Sequence, residues 1–363
     1  MVDIGAEVDE IDTPALLIDL DVMERNIETM STFFKTTEAH LRPHAKTHKC
    51  PMIAHKQLEA GAIGITCAKL GEAEVMIEAG IRNVLVANEI VGEPKVTRLV
   101  NLAKHSNIIV AVDDPSNVRH LANSAEHKGV KLNLLIEVEV GNNRCGTLPG
   151  QPTLQLAREI AKYHSLNLRG VLGYEGFCQF IAKLDERRVK TSEAMGRLVE
   201  TRNLLADEGF QMEIVSGGGT GTHMITGKYQ GITEVEAGSY VFMDAKYSTV
   251  EGLEAYGHAL TVLSTIISHP TPEKAICDAG LKTLAFEFGP PVVKGRNDVV
   301  YERPSEEHGK LKVDPSSRLK PGDKIELIMT HCCSNTNLFD HFHCVRDGRL
   351  EALWRVAARG RSQ

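Results

Sequence analysis

Basic side chains alternate along the segment Arg42-Pro43-His44-Ala45-Lys46-Thr47-His48-Lys49. If a strand predicted over residues 40–46 continues through it, every second side chain, including Lys46, points to one face, because strands have a side-chain period of two. A lysine enclosed among other cations has its ammonium form disfavoured and can act as an amine nucleophile or Schiff-base former. The alternative is a solvated basic patch at the end of a strand.

A second candidate segment is the glycine-rich run Ser216-Gly217-Gly218-Gly219-Thr220-Gly221-Thr222. Glycines let the backbone approach an anion closely, and consecutive N–H groups form a nest for phosphate. The spacing fits neither a dinucleotide fingerprint nor a Walker A loop. A barrel that binds phosphate commonly uses the loops after its last two strands, where this run and Ala237-Gly238-Ser239-Tyr240 would fall. A glycine-rich turn without a ligand is the alternative.

A third candidate is the pair His331 and Cys333 in Thr330-His331-Cys332-Cys333. On an extended backbone these residues, at i and i+2, would face the same way, and an imidazole and a thiolate suit a borderline ion such as Zn(II). Two protein ligands would leave coordination positions for water or substrate, which is typical of a catalytic site. Ordinary buried residues are the alternative explanation.

Composition excludes several classes of protein. Of the 363 residues, 42% are hydrophobic and 25% charged, which is typical of a globular protein and excludes a disordered or fibrous chain. The net charge of −7 provides no basic field for nucleic acid. The sequence contains neither an apolar stretch of about 18 residues nor a basic, then apolar N-terminus, so we expect no membrane partner and a cytoplasmic location. The eight scattered cysteines predict reduced thiols.

The periodicity predicts two kinds of structure along the chain. Short β-branched runs, beginning at Ala15–Asp19, alternate with helical segments up to about residue 245. About eight strands at roughly 25-residue spacing, each followed by a helix, predict a (β/α)8 barrel over residues 14–245. From residue 246 onward, short alternating runs separated by Pro, Gly and Asp clusters predict an antiparallel β domain.

Taken together, five ordered motifs resemble one family, the D-threonine aldolases and D-serine dehydratases, which are pyridoxal-phosphate enzymes of the alanine racemase fold. The motifs are Arg42 to Lys49, Gly141-Asn142-Asn143-Arg144-Cys145-Gly146, Ser216 to Thr220, Glu236 to Tyr240, and His331-x-Cys333. Asp278-Ala279-Gly280-Leu281-Lys282 and Gly289-Pro290-Pro291 place the chain nearer the aldolase branch. The resemblance implies an N-terminal barrel and a C-terminal β domain of residues 246–363 that also takes in residues 1–13, and it implies a homodimer.

The resemblance also assigns roles to individual residues. Lys46 matches the lysine that holds pyridoxal 5'-phosphate covalently, Arg144 the arginine beside the cofactor ring, and Tyr174 an active-site tyrosine. The phosphate-binding loops of the family match Ser216, Gly218, Gly219, Thr220, Gly238, Ser239 and Tyr240. His331 and Cys333 match the pair that binds a divalent metal (Zn, Mn or Mg), which is His-x-Asp in the aldolases and His-x-Cys in the dehydratases.

We therefore expect a lyase acting on a small β-hydroxy-D-amino acid, with Lys46, Tyr174 and His331 as its catalytic residues. Retro-aldol cleavage to glycine and an aldehyde, as in a D-threonine or D-3-hydroxyaspartate aldolase, is our first hypothesis. Dehydration of D-serine or D-3-hydroxyaspartate is the second, because Phe180 replaces a histidine of the aldolase branch that could serve as the base. The remaining candidates for that base are Tyr174, Glu175 and a hydroxide on the metal. A racemase, or a pyridoxal-phosphate-binding protein without activity, is a further alternative.

Overall fold

The computed structural model describes residues 3–363, which divide into two compact units. The barrel unit consists of Met30–Lys46, Pro51–Gly238 and Gly360–Gln363. The β unit consists of the described residues up to Thr29, together with Thr47–Cys50 and Ser239–Arg359. Met1 and Val2, part of the predicted segment 1–13, lie outside the described residues.

The strands form one nine-stranded and one eight-stranded sheet. In chain order they are β1 (Ala15–Asp19), β2 (His40–Leu41), β3 (Ile65–Cys67), β4 (Asn83–Glu89), β5 (Asn107–Val112), β6 (Leu132–Glu137), β7 (Leu166–Gly173), β8 (Ile214–Gly217), β9 (Glu234–Val235), β10 (Leu260–Thr271), β11 (Lys274–Cys277), β12 (Val292–Val293), β13 (Val299–Pro304), β14 (Gly309–Val313), β15 (Lys324–Ile328), β16 (His341–Arg346) and β17 (Arg349–Arg355).

The α-helices alternate with the strands of the barrel unit, as the periodicity predicts. They are α1 (Leu20–Phe34), α2 (Pro51–Glu59), α3 (Leu70–Glu78), α4 (Glu93–Leu102), α5 (Pro115–Lys128), α6 (Gln151–Ile160), α7 (Leu184–Asp207) and α8 (His223–Thr226). A further helix, α9 (Cys332–Thr336), lies in the β unit. Helix α5 shows how its ends are specified. The Asp114 carboxylate accepts hydrogen bonds from the N–H groups of Ser116 and Asn117, and Gly129 ends the helix in the left-handed conformation. None of the helices of residues 3–363 is both long and apolar enough to cross a bilayer.

The eight strands of the barrel unit run parallel, in the order β2-β9-β8-β7-β6-β5-β4-β3. Backbone hydrogen bonds join the two ends of this order: Ile63 N–H donates to the Leu41 carbonyl over 3.0 Å, and Thr66 N–H to the Pro43 carbonyl over 2.9 Å. The sheet is therefore closed. Its interior is apolar and contains Leu85, Ile109, Ala111, Leu135, Leu172 and Ile214. The predicted fold class, a (β/α)8 barrel with an antiparallel β domain, is confirmed.

An amide ladder crosses the amino ends of four neighbouring barrel strands. Asn167 donates to Asn133 over 2.8 Å, Asn133 donates to Asn107 over 3.0 Å, and Asn107 donates to Asn83 over 3.4 Å. The ladder ends at Arg42, whose guanidinium donates to the Asn83 amide oxygen over 3.0 Å. Polar groups at this end of the barrel are therefore paired with one another.

The predicted strand over residues 40–46 is mostly wrong. Only His40–Leu41 is a strand, and Ala45–Thr47 form a 3-10 turn, so the expected alternation of side chains does not extend to Lys46. Arg42 is instead 2% exposed and forms a bidentate ion pair with Glu234, at 2.8 and 2.6 Å. This residue therefore belongs to the amino end of the barrel, whereas Lys46 follows the strand's carboxyl end.

In the β unit, β1 pairs antiparallel with β10 and parallel with β16. Residues 15–19, which the periodicity predicted to be the first strand of the barrel, thus belong to the nine-stranded sheet. The carboxylate of Asp278 reinforces this sheet by accepting hydrogen bonds from the Thr13 hydroxyl (2.5 Å), the Ser264 hydroxyl (2.7 Å) and the Thr265 N–H (2.9 Å). It connects the N-terminal segment to β10, although the two are far apart in sequence.

We expect Arg42→Met to destabilise the protein by about 3–5 kcal/mol, because it leaves the buried carboxylate of Glu234 without its partner. The double variant with Glu234→Gln should recover much of this loss, since it removes the uncompensated charge. Thermal unfolding followed by circular dichroism measures both. Arg158→Met, which breaks an exposed ion pair with Glu208, is the matched control and should cost about 0–1 kcal/mol. An Arg42→Met protein as stable as this control would contradict the expectation.

Candidate active site

Three residues identified from the sequence come together in the barrel unit, where Lys46 and Arg144 lie on the ring of Tyr174. The Lys46 ammonium nitrogen lies 5.6 Å from the centre of this ring, and the guanidinium carbon of Arg144 lies 5.5 Å from it. Tyr174 directly follows β7, and Lys46 is half-buried in the 3-10 turn after β2. Parallel strands bring these carboxyl ends to one rim of the barrel, which is where barrel enzymes place their active sites.

Glu137, at the end of β6, holds Arg144 in place through an ion pair of 3.2 Å. Its side chain is almost fully buried, and its second carboxylate oxygen has no hydrogen-bond partner. Burial and the neighbouring carboxylate of Glu89 raise the pKa of Glu137 well above its usual value. This residue was not identified from the sequence. The available signal was an acidic residue at the end of a mostly apolar strand.

A second buried carboxyl group lies next to Ser216. The Ser216 hydroxyl donates to Glu236 over 2.7 Å. Burial and the charge of Glu234 raise the pKa of Glu236 to about 7, although Ser216 and the positive charges of Arg42 and Lys46 oppose the shift. The predicted contact between Ser216 and a phosphate therefore competes with a bond inside the protein.

The glycine-rich loop after β8 is completely buried from Gly217 to Thr220. Its Gly218 N–H donates to Glu175 over 3.1 Å, and its Gly219 N–H donates to the Thr222 hydroxyl over 3.1 Å. Gly238, in the second part of the predicted phosphate site, is also buried and follows β9. The glycines of this run pack closely: a Cβ atom on Gly217 or Gly221 would meet a backbone carbonyl oxygen, and one on Gly218 or Gly219 would meet side chains.

In the β unit, His331 and Cys333 do not lie on the extended strand that the sequence predicted. Helix α9 begins at Cys332 instead. The side chains nevertheless come together: the possible ligand atoms of His331, Cys332 and Cys333 all lie within 4.8 Å of one another. Cys332 is completely buried, whereas His331 and Cys333 are partly exposed. An imidazole and a thiol on a helix N-terminus can thus face one ion.

Asp244, which the sequence analysis did not identify, orients this pair. Its carboxylate lies 3.0 Å from His331 Nδ1 and accepts the Cys332 N–H over 3.2 Å. Burial opposes protonation of His331, but the charges of Cys333 and Asp244 together raise its pKa to about 10. Because Nδ1 faces Asp244, an ion would be bound through Nε2. A carboxylate behind a ligating histidine is the usual support of a metal site.

Other residues of the β unit surround the thiol and the imidazole. The Thr47 hydroxyl is 3.3 Å from Cys333 Sγ, and the Ser239 hydroxyl is 3.9 Å from it. The ring of Phe288 stands edge-on to His331 at 5.6 Å. Tyr240 is fully buried, and its ring meets that of Tyr256 at 6.3 Å. Of the residues predicted to bind phosphate, Ser239 and Tyr240 therefore lie in the unit that carries the metal pair.

These residues fit the two groups that the sequence implies. A half-buried lysine, an aromatic ring and an arginine held by a carboxylate suit a pyridoxal ring and its charged substituents. The histidine and thiol pair, with Asp244 behind it, matches the donor set that zinc prefers, and two protein ligands would leave positions for water and substrate.

Comparison with known proteins identifies the family. Residues 18–246 match the alanine racemase N-terminal domain, and residues 259–345 match a putative serine dehydratase domain. The chain is 35% identical to a 3-hydroxy-D-aspartate aldolase of Paracoccus denitrificans (strain Pd 1222), over 98% of this chain and 94% of that protein. It is 36% identical to a D-threonine aldolase of an Arthrobacter species, over 99% and 96% of the two chains.

Solved structures agree with these matches. The crystal structure of D-threonine aldolase from Filomicrobium marinum superposes with a TM-score of 0.96 at 39% identity, over 99% of both chains. A D-threo-3-hydroxyaspartate dehydratase of Delftia sp. (strain HT23) is more distant in sequence, with 27% identity over 95% of this chain and 97% of that protein. The retro-aldol hypothesis is thus confirmed over dehydration at the level of the family: the chain belongs to the alanine racemase-like lyases that include the D-threonine and 3-hydroxy-D-aspartate aldolases.

Proposed function

We propose that this protein cleaves the Cα–Cβ bond of a β-hydroxy-D-amino acid and releases glycine and an aldehyde. The observation that carries the choice of a lyase acting on a β-hydroxyl group is the pair His331 and Cys333 with Asp244 behind it. A racemase that acts only at Cα does not require such a pair, whereas a lyase acting on a β-hydroxyl group can use an ion there. The full-length likeness to two aldolases supports the same reaction.

In the barrel unit, Lys46 would hold pyridoxal 5'-phosphate, which supplies an electron sink for the bond broken at Cα. Tyr174 would support the ring, since its own ring already lies close to Lys46 and Arg144. Arg144 would provide a fixed positive charge beside the cofactor, and Glu137 keeps the guanidinium in place. We propose phosphate contacts at Ser216, Gly218, Gly219 and Thr220, together with Gly238, Ser239 and Tyr240.

In the β unit, His331 and Cys333 would hold a divalent ion, which supplies a Lewis acid for the β-hydroxyl group of the substrate. Asp244, which contacts Nδ1 of His331, would leave Nε2 for the ion. Thr47, whose hydroxyl contacts Cys333, is the next residue in the chain after Lys46. Cleavage of a β-hydroxy amino acid would call on both groups, because the bond breaks at Cα and the hydroxyl group is on Cβ.

Retro-aldol cleavage also needs a group that accepts the proton of the β-hydroxyl. Phe180 cannot do so, because its side chain carries no titratable group. Of the two protein side chains that the sequence offered, Glu175 is 0% exposed, whereas Tyr174 is partly exposed and lies beside Lys46. We propose Tyr174 as the acceptor within the protein.

Dehydration remains a second candidate function, and two residues favour it. Cys333 gives the chain the His-x-Cys pair of the dehydratases, and Phe180 removes the histidine expected in this branch of aldolases. In dehydration Lys46 would take the Cα proton and the hydroxyl would leave with the help of the ion, so no further base is needed. Assays of D-threonine, D-serine and D-3-hydroxyaspartate with separate detection of glycine and ammonia distinguish the two reactions.

We further propose that the protein is a cytoplasmic homodimer. The family resemblance supports the dimer, because a β domain completes the barrel mouth of the partner in this fold. Light scattering of the purified protein measures its mass directly, and a monomeric mass would contradict the proposal.

Borohydride reduction should fix the cofactor covalently to Lys46. Reduced protein is expected to yield one labelled peptide, containing Lys46, and Lys46→Ala should lose both the label and the visible absorbance of the cofactor. Lys35→Ala, at an exposed position, is the control and should keep both. Mass spectrometry of the digested protein makes the assignment. A label on another lysine would remove Lys46 from the proposed mechanism.

Activity should depend on a divalent ion, and Asp244→Asn should weaken its binding by about 10–100-fold, because the histidine loses the carboxylate that orients it. Metal titration followed by elemental analysis measures the affinity. Chelation should stop turnover while the visible absorbance of the cofactor persists, since other residues hold the cofactor. The control is Asp340→Asn, an exposed carboxylate of the β unit. Full turnover of metal-free wild-type protein would contradict the ion's role.

Phe180→His should raise the ratio of glycine to ammonia formed from a β-hydroxy-D-amino acid. A new general base at this position is worth up to about 10²-fold in retro-aldol cleavage, and dehydration does not use it. Phe180→Gln, which is polar but not a base, is the matched control and should leave the ratio near that of the wild type. A wild type with full aldolase activity that Phe180→His slows would show that Phe180 instead forms a wall of the substrate pocket.

A further inference from the structure

The carboxylate of Glu175 is buried against the glycine-rich loop that follows β8. One oxygen accepts hydrogen bonds from the hydroxyls of Thr222 (2.6 Å) and Thr226 (3.2 Å), and the other accepts the Gly218 N–H (3.1 Å). Glu175 and Thr222 are both 0% exposed. A carboxylate enclosed by three donors inside the barrel unit is directed at the loop and not at a substrate.

Gln179, four residues further along, holds the same loop from a second point. Its amide nitrogen donates to the Thr222 hydroxyl over 3.0 Å, and its amide oxygen accepts the Gly221 N–H over 2.9 Å. The Thr222 hydroxyl also accepts the Gly219 N–H. The N–H groups of Gly218, Gly219 and Gly221 are therefore bonded to Glu175, to the Thr222 hydroxyl and to Gln179, respectively.

The glycines of the loop are explained by the same contact. A Cβ atom on Gly219 would lie 2.6 Å from the amide oxygen of Gln179, and one on Gly221 would lie 2.1 Å from the Gln179 carbonyl oxygen. Gly218 has φ +75°, a left-handed conformation that favours glycine. The run of glycines thus lets residues 218–221 approach the segment that contains Glu175 and Gln179.

The same bonds fix the backbone of the loop around the proposed phosphate contacts. Because the N–H groups of Gly218, Gly219 and Gly221 donate to acceptors inside the protein, the conformation of the loop is set by these acceptors. The ring of His223 contacts the Thr220 carbonyl oxygen over 2.8 Å. The position of Thr220 therefore depends on side chains behind the loop: Glu175 and Gln179 each make two hydrogen bonds to residues 218–222, and His223 contacts Thr220 itself.

We propose that Glu175 is a positioning residue for the phosphate group of the cofactor: its carboxylate holds the loop from Gly218 to Thr222 in the conformation that binds phosphate. This inference rests on the proposed function, since it requires pyridoxal phosphate as the ligand. It removes Glu175 from the candidates for the catalytic base.

The test compares two ligands that differ only in the phosphate. Full-length protein depleted of cofactor is titrated with pyridoxal 5'-phosphate and with pyridoxal, and binding is followed by absorbance. Glutamine has one donor and one acceptor where Glu175 has two acceptors, so Glu175→Gln loses at least one bond to the loop. Loss of a hydrogen bond to a charged group corresponds to about 10-fold or more in affinity. We expect this loss for pyridoxal 5'-phosphate and less than about 3-fold for pyridoxal.

Two further variants sharpen the test. Thr222→Val removes the hydroxyl between Glu175 and Gln179 and should lower the same selectivity, which keeps the inference testable if Glu175→Gln does not fold. Glu200→Gln, at an exposed position on α7, is the matched control and should bind both ligands like the wild type. The pH profile of turnover in Glu175→Gln should keep the shape of the wild-type profile, because a positioning residue exchanges no proton with the substrate.

The outcomes separate this inference from the proposed function. Unchanged selectivity in both Glu175→Gln and Thr222→Val would overturn it, and so would an equal loss of affinity for both ligands, which indicates a general structural defect. Loss of one limb of the pH profile in Glu175→Gln would make Glu175 a base and overturn it as well. A wild type that does not bind pyridoxal 5'-phosphate would overturn the proposed function and this inference with it.

Discussion

The backbone hydrogen bonds that close the barrel, between residues 41–43 and residues 63–66, are the constraint on which the candidate site depends. They hold the short strand β2 between β9 and β3, although β2 itself has only two residues. The chain that leaves β2 therefore reaches the carboxyl rim of the barrel within a few residues, and it makes the 3-10 turn that contains Lys46. The buried pair of Arg42 and Glu234 fixes the other end of this segment, so that one short stretch serves both stability and chemistry.

The segment after β7 has a comparable double role. Tyr174 lies against Lys46 and Arg144, whereas the next residue, Glu175, is turned to the glycine-rich loop. Adjacent residues thus face the ring site and the loop. A substitution that shifts this segment would disturb the ring site and the loop together. Gln179 packs so closely against the loop that no side chain fits on Gly219 or Gly221. Phe180 directly follows Gln179, so its environment is set by the same contacts.

Much of this arrangement could be predicted from the sequence, because alternating strand and helix patterns specify a barrel and motif positions specify Lys46, Tyr174 and Arg144. The strand that another strand pairs with could not be predicted, since an apolar run such as Ala15–Asp19 does not indicate which sheet it joins. The local backbone conformation was also predicted wrongly at Lys46 and at Cys333, where the sequence suggested the alternating side chains of a strand. Asp244 was missed because its partner His331 is 87 positions away in the sequence, and Glu137 was missed because its ion pair with Arg144 forms only in the folded chain.

An ion on His331 and Cys333 would serve retro-aldol cleavage and dehydration equally, so other residues must decide which bond breaks. His331 is held by Asp244, and its ring is covered by Phe288, so it can present one nitrogen in one direction. An ion held there would polarise a β-hydroxyl group in the same way whether the hydroxyl then lost its proton or left as hydroxide. The difference would come from the proton acceptor near the hydroxyl, and in this chain position 180 holds phenylalanine. Retro-aldol cleavage would therefore rely on Tyr174 or on the ion, and its rate relative to dehydration would depend on how well either accepts that proton.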